Sequence, residues 1–352
     1  MNYKHIGQTN DQAKQPEANN NDSLSRRNFL RNSSTASVGA GLIVTSKTAL
    51  GQEGSEKGKK VRCGIIGYGD EGKALRESSM FLKDLVCFPA VSDIWPRNLR
   101  AGVGQISASK QGGGADGSEC NGYDDPADMI DKEDLDCIIV ATPDFSHHTY
   151  SIMGLEKGLD VYCEKLMSNS IDYARQMVQV QKKTGKLLAI GHQRRSNPRY
   201  LHVKNEIINK RQLLGWITHM TAQWNRSRGG SVPREIPMGK DALTDETLKK
   251  FGFNGGATGM FEFRNWRMYK KFGGGIISDL GAHQIDIFNW LLDEYPKSIF
   301  AQGGTDYYTG DFLNNLLTSE VKEAMEKTKS KKRKAKLEEE LKVVEQVKDG
   351  YE

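Results

Sequence analysis

The segment spanning residues 60–83 constrains this chain more than any other. Lys60-Val61-Arg62-Cys63-Gly64-Ile65-Ile66 reads as a short buried strand that runs directly into Gly67-Tyr68-Gly69-Asp70-Glu71-Gly72, and residues 73–83 then read as a helix. A GxGxxG pattern alone carries little weight. Between a strand and a helix each glycine has a task. The first permits the tight turn, the second lets backbone approach a pyrophosphate, and the third lets helix pack on strand. The helix N-terminus adds free N–H groups and the positive end of its dipole. An acid is expected about 20 residues further on. Val86-Cys87-Phe88-Pro89-Ala90-Val91-Ser92-Asp93 supplies a second apolar strand ending in Asp93. A carboxylate there would hydrogen-bond ribose hydroxyls and favour NAD over NADP, although Arg97 nearby would suit a 2′-phosphate. A turn cap is the other reading of Asp93.

The pattern continues in alternating units. Residues 101–122 are rich in Gly, Ser and Gln and read as a loose surface insertion. Further strands are expected at 136–141, 159–163 and 187–191, with helices at 126–131, 147–157 and 170–183 between them. Such alternation means a parallel, doubly wound sheet, whose ligands sit beyond the carboxyl ends of the strands. Thr142-Pro143, Glu164-Lys165 and His192-Gln193-Arg194-Arg195 all fall on that edge.

Beyond Pro198 a helix is expected at 200–209, and residues 215–224 alternate like a strand with one buried face. The segment from Gly273 to Asp286 follows a loop-rich stretch. Asp279, His283 and Asp286 are spaced by four and three, so on a helix they share one face. A metal site would need a further Cys or His cluster, which is missing from the sequence, and no metal is assigned.

Length and composition bound the rest. The 352 residues suit two domains. No stretch reaches the roughly 18 apolar residues of a membrane span. A net charge of +5, mixed along the chain, does not argue for nucleic acid as the main partner. Five cysteines form no disulfide framework. Cys63, Cys137 and Cys163 lie in apolar runs, where cysteine acts as a small hydrophobe, and all five are read as unpaired.

The N-terminus reads as an address. A polar stretch precedes Ser25-Arg26-Arg27-Asn28-Phe29-Leu30, and a modest apolar run without acidic residues follows. This is similar to a twin-arginine export signal. A periplasmic or otherwise exported protein is expected, with the export machinery as a partner, and the signal would either be cleaved or stay as an anchor.

With these motifs on the page, the chain resembles the Gfo/Idh/MocA family of glucose-fructose oxidoreductase and inositol dehydrogenase. The resemblance rests on Gly67–Gly72, Ala141-Thr142-Pro143, Glu164-Lys165, Gly191-His192 and the Gly273–Asp286 segment. It implies an α/β fold: an N-terminal Rossmann domain, then a C-terminal α+β domain with an open, mostly antiparallel sheet. It implies NAD or NADP, hydride transfer to or from a hydroxyl or carbonyl of a sugar or polyol, and a homo-oligomer. Gly67, Tyr68, Gly69, Gly72, Asp93, Ala141, Thr142, Pro143, Glu164 and Lys165 would bind the dinucleotide. Lys165 and His283 would be catalytic, with Asp279 beside the substrate. Arg194, Arg195 and Trp266 would line the substrate space. A glycoside-cleaving enzyme using transient oxidation, and a non-catalytic dinucleotide-binding protein, are the alternatives.

Two departures stand out. Leu166 replaces the proline usual after Glu-Lys. The expected later strands give way to a charged helical stretch over 319–349, in which Lys331-Lys332-Arg333-Lys334 precedes Glu338-Glu339-Glu340. That run reads as a solvated helix. The expected organisation is 1–58 export signal and linker, 59–191 dinucleotide domain, 192–318 substrate domain with an incomplete sheet, and 319–352 charged tail.

Overall fold

Six short apolar runs pair side by side, all parallel, in the order β3-β2-β1-β4-β5-β6. The structure is a computed structural model and describes residues 59–225, 234, 236–237, 239–275, 277–304 and 310–346. The expected export segment at 1–58 lies outside the described residues.

The strands are β1 (Val61–Ile66), β2 (Val86–Ser92), β3 (Asn121–Tyr123), β4 (Cys137–Val140), β5 (Asp160–Glu164) and β6 (Leu188–Gly191). Helices α1 (Asp70–Ser78), α2 (Pro96–Ala108), α3 (Pro126–Lys132), α4 (His147–Glu156) and α5 (Ile171–Thr184) connect them. Alternate residues of each strand feed two cores. Ile66, Ile138, Val140 and Cys163 pack on one side, and Ile65, Ile139 and Tyr162 on the other. Both faces are covered, which is why the strands read as continuous apolar runs. Each buried Ile or Val contributes about 1.5–3 kcal/mol. Chain order reverses between β1 and β4, so the crevice for a ligand opens there.

Two expectations for this half are corrected. Residues 101–108 belong to α2, not to a loose insertion. Ile106 is fully buried, and Gly102 lies against Val91 and Tyr68, so small residues form the packed face. Cys63 and Cys137 are joined as a disulfide, leaving Cys87, Cys120 and Cys163 free. The register pairs Cys63 with Cys137 directly across β1 and β4, with Cα atoms 4.9 Å apart. Neighbouring parallel strands put such residues on the same face within bridging reach.

Beyond β6 the described residues are helices and irregular segments. Helix α6 (Pro198–His202) runs on into a wider-wound stretch, Val203–Lys210. Then come α7 (Asp245–Lys250), α8 (Gly256–Arg264), a wide turn at Ile277–Gly281 leading into α9 (Ala282–Leu292), α10 (Gly310–Lys327) and α11 (Lys331–Gln346). Residues 215–224 carry no regular secondary structure and are largely exposed, so the strand expected there is not formed. A strand is held by its neighbours' N–H and C=O groups, and among the described residues no strand lies beside this one. The antiparallel sheet expected of the second half is likewise not among the described residues. The charged stretch is two helices, not one, with Ser330 accepting from Arg333 N–H where the second begins.

A third core, including Leu248, Phe253, Phe261, Trp266 and Phe272, takes in Ile94 and Phe145 from the sheet half. Polar ties reinforce this contact. Trp95 Nε1 donates to Asp241 O at 2.9 Å, Lys250 pairs with Asp125 at 2.7 Å, and Arg234 pairs with Asp70 at 2.9 Å. Helices of the second half are thereby set over the carboxyl edge of the parallel sheet.

Candidate active site

The glycine-rich turn is built as the sequence demands. Gly67 has φ +88°, and a Cβ there would lie 2.7 Å from Ala141 O. A Cβ on Gly72 would run into the Gly67 carbonyl, so helix α1 sits hard against the turn. Gly69 differs from both: nothing lies within 4 Å of where its Cβ would be. Backbone there is open to an approaching phosphate at the N-terminus of α1. Asp93 stands at the end of β2. Its carboxylate accepts from Tyr68 N–H at 2.7 Å, Trp95 N–H at 2.8 Å and Asn98 Nδ2 at 3.2 Å. Burial pushes its pKa up against the pull of those donors. Asp93 therefore clamps the turn as well as facing the crevice.

At the next strand ends, Ser146 Oγ donates to Thr142 Oγ1, and Glu164 accepts from Tyr162 OH at 3.0 Å and Lys165 N–H at 3.1 Å. Burial, then the charge of Glu71, pushes the Glu164 carboxyl up to about 7. His147 ties the two edges together: its ring nitrogens meet Leu166 O and Thr142 O. Two carbonyl partners require both nitrogens to donate. Burial opposes the charged ring, but Cys163, Asp144 and the Leu166 carbonyl hold it protonated up to about 9. The Lys165–Leu166 peptide is cis. Lys165 nevertheless reaches across to the second half, donating to Asp279 O at 2.9 Å.

The second half brings its residues in on one helical face. The wide turn before α9 holds Asp279, whose carboxylate lies 3.5 Å from Lys165 Nζ and accepts from Arg267 Nε at 3.2 Å. One turn on, His283 is buried under Trp224, ring centroids 5.5 Å apart. Burial first, then the charges of Lys165, Arg194 and His192, lower its pKa to about 4. A further turn on, Asp286 accepts from Arg195 Nε at 2.9 Å and Nη2 at 2.5 Å, with His192 Nε2 at 3.6 Å. Arg194 does not join that network; its guanidinium lies 4.6 Å over the Trp224 ring.

One cleft of about 810 Å³ joins most of these groups. Gly67, Gly69, Asp93, Ala141, Thr142 and Pro143 are among its lining residues. Glu164, Lys165 and Trp266 continue the lining, and its size is that of a ligand pocket. Tyr68 and Gly72 do not line it. The Tyr68 ring is fully buried, its hydroxyl bonded to Gln105 and Arg76. Asp279, His283 and Arg194 do not line it either; Asp279 touches the lining residue Lys165, and Arg195 is taken up by Asp286. Sequence reasoning passed over His147 and Arg267, and noted Asp286 only as sharing the face of Asp279 and His283. The position of Asp286 three residues after His283 was the available signal for its place at the site. His147 had none, because its partners lie on two different loops.

Two family models match. The oxidoreductase family with an NAD-binding Rossmann fold covers residues 61–192, and the GFO/IDH/MocA C-terminal domain covers 208–340, reaching into the two terminal helices. Inositol 2-dehydrogenase of Klebsiella pneumoniae (strain 342) is 31% identical over 68% of this chain and 56% of its own length. D-glucoside 3-dehydrogenase of Escherichia coli (strain K12) is 26% identical over 72% of this chain and 61% of its own. The WlbA dehydrogenase of Bordetella pertussis, solved in complex with NADH and UDP-GlcNAcA, is 19% identical, with a TM-score of 0.48 over 66% of this chain and 60% of that one. The chain thus spans little more than half the length of the two curated relatives. Two successive matches to one family, together covering most of the chain in the order the motifs require, establish that the chain belongs to the Gfo/Idh/MocA family.

Proposed function

We propose that the protein is an NAD-dependent oxidoreductase that moves hydride between the nicotinamide and a hydroxyl-bearing carbon of a sugar or polyol. The observation that carries this reading is one cleft lined both by the open backbone at Gly69 and by Lys165. The residues fit a dinucleotide. Gly67 and Gly69 with the α1 N-terminus would take the pyrophosphate, and Asp93 the adenosine ribose. The Asp93 carboxylate repels a 2′-phosphate and so favours NAD over NADP. The curated relatives named above are dehydrogenases of inositol and of glucosides.

Bound NAD would supply the hydride acceptor, and the side chains the rest. Lys165 places an ammonium group where an alkoxide develops and stabilises that charge. His283, kept neutral by burial and neighbouring cations, is available to accept the hydroxyl proton. Asp279, held by Lys165 and Arg267, fixes the lysine and presents oxygen to substrate hydroxyls. Trp266 forms part of the cleft wall.

The test is NADH formation by purified protein across a panel of inositols, hexoses and glucosides. NADH accumulation with one or more of them is expected. Release of reducing sugar without net NADH would point to glycoside cleavage instead, and no turnover with NAD bound would leave a binding protein. We further propose export through the twin-arginine route, on the strength of Arg26-Arg27 ahead of an apolar run. Changing both arginines to lysine should then retain the protein in the cytoplasm. The exposed Trp216, Ile299 and Phe300 support self-association, which light scattering on purified protein would report.

A further inference from the structure

Among the described residues three buried acids line the cleft, and two of them are engaged. Asp93 takes three donors, and Glu164 takes the Tyr162 hydroxyl and the Lys165 N–H. Asp144 differs. It is 5% exposed, yet among the described residues no hydrogen-bond donor reaches its carboxylate. The strongest charges acting on it are His147 and Lys165, then Asp279 and Arg267, but none of the three cations forms an ion pair with it. Each of them is held elsewhere: His147 by two backbone carbonyls, Lys165 and Arg267 by Asp279. A buried carboxylate without a donor is unfavourable in the empty cleft, so the group it serves comes from the ligand.

The topology says which part of the ligand that is. Strands β2 and β4 flank β1 on opposite sides, with Asp93 just past the end of β2 and Asp144 on the turn that follows β4. A dinucleotide laid over the glycine turn with its adenosine ribose on Asp93 carries its nicotinamide half to the β4 side. The nicotinamide ring is a cation in NAD and neutral in NADH, the difference being the hydride it has gained. We propose that Asp144 sets the preference between oxidised and reduced cofactor, its carboxylate favouring the cationic ring of NAD over the neutral ring of NADH. This rests on the oxidoreductase reading and adds a residue and a role to it.

The surrounding charges make such a group necessary. Without Asp144 a cationic ring would meet Lys165, Arg267 and the protonated His147, with Asp279 as the one opposing charge among the groups that act on Asp144. Burial pushes the Asp144 carboxyl up, and His147 and Lys165 pull it back toward the ionised form. A charge inside a water-poor cleft is weakly screened and discriminates strongly between a cation and a neutral ring. Favouring NAD keeps the hydride acceptor in place for an incoming hydroxyl substrate and loosens the hold on NADH, the product that has to leave.

The test is equilibrium binding of both cofactor forms, NADH by its own fluorescence and NAD by competition, to wild type, Asp144→Asn and Asp144→Glu. Asparagine keeps the shape and loses the charge, so the ratio of the NAD Kd to the NADH Kd should rise at least about threefold. Glutamate keeps the charge and should move the ratio less than asparagine does. Melting curves check folding, and Asp144→Ser, which also removes the charge, replaces Asp144→Asn if that variant does not fold. A ratio that moves less than about threefold in the uncharged variant, or moves as far in Asp144→Glu, overturns the inference. A proportional loss of both affinities is such an outcome and marks a merely structural residue. Protein that binds neither form sinks the oxidoreductase reading itself, whereas binding of both with an unmoved ratio sinks only this inference.

Discussion

Lys165 Nζ donates to the backbone carbonyl of Asp279 at 2.9 Å and lies 3.5 Å from its carboxylate, across 114 residues of chain. The contact joins the last strand ends of the parallel sheet to the helical face carrying His283. Lys165→Met should lower kcat by about 10²–10⁴, the usual worth of a group acting on the reacting proton or oxygen. Asp279→Asn keeps the carbonyl partner and should cost only about tenfold. Steady-state kinetics alongside NADH titration reads both. Equal losses in the two variants would mean that the carboxylate, not the ammonium, does the chemistry.

The pH dependence follows from His283. As the proposed base, His283 would work only when neutral, so kcat/KM should hold on the acid side until pH approaches about 4, not 6.5. The sign for stability is separate. A histidine whose folded pKa is depressed gives full stability above its unfolded pKa, near 6.5. That stability falls away as pH drops from there toward about 4.

Glu164 works in the other direction. Its folded pKa is raised to about 7, so the folded state holds a proton that the unfolded state has released. Stability from this group is present below about 4.5 and is lost as pH rises to about 7. Glu164→Gln removes that loss. The variant should melt higher than wild type above pH 7, by the equivalent of about 1–3 kcal/mol, with little difference at pH 4. Parallel melting curves across pH would show the crossover.

The two later glycines of the turn should separate folding from binding. Gly72→Ala forces a methyl into the Gly67 carbonyl and should cost about 1–3 kcal/mol of stability. Gly69→Ala meets nothing in the protein and should melt within about 0.5 kcal/mol of wild type. Its methyl occupies the space a pyrophosphate needs, so NADH should bind at least about tenfold more weakly. Similar effects of both variants on melting would mean that Gly69 is structural.

Thiol titration of unfolded, unreduced protein should find three groups, Cys87, Cys120 and Cys163, and five after reduction. Five before reduction would deny the Cys63–Cys137 bond.

The parallel sheet was legible because its signals are local. Each strand carries its own apolar run, and glycines fall where a turn or a close helix needs them. Cys63 and Cys137 were misread because a disulfide depends on register, which places residues 74 apart directly opposite one another. Residues 215–224 alternate like a strand, but alternation records only which faces a segment offers, and pairing needs a neighbour. The catalytic candidates Lys165, Asp279 and His283 came from motif resemblance. Arg195 with Asp286, and Arg194 with Trp224, were out of reach because these contacts form between loops and a helix distant in sequence.

The account turns on the cleft lined by both Gly69 and Lys165, and titration of purified protein with NADH tests it most directly. It predicts saturable binding of one NADH per chain, competed by NAD and weakened in Gly69→Ala. Protein that melts cooperatively yet shows no saturable NADH binding would contradict it.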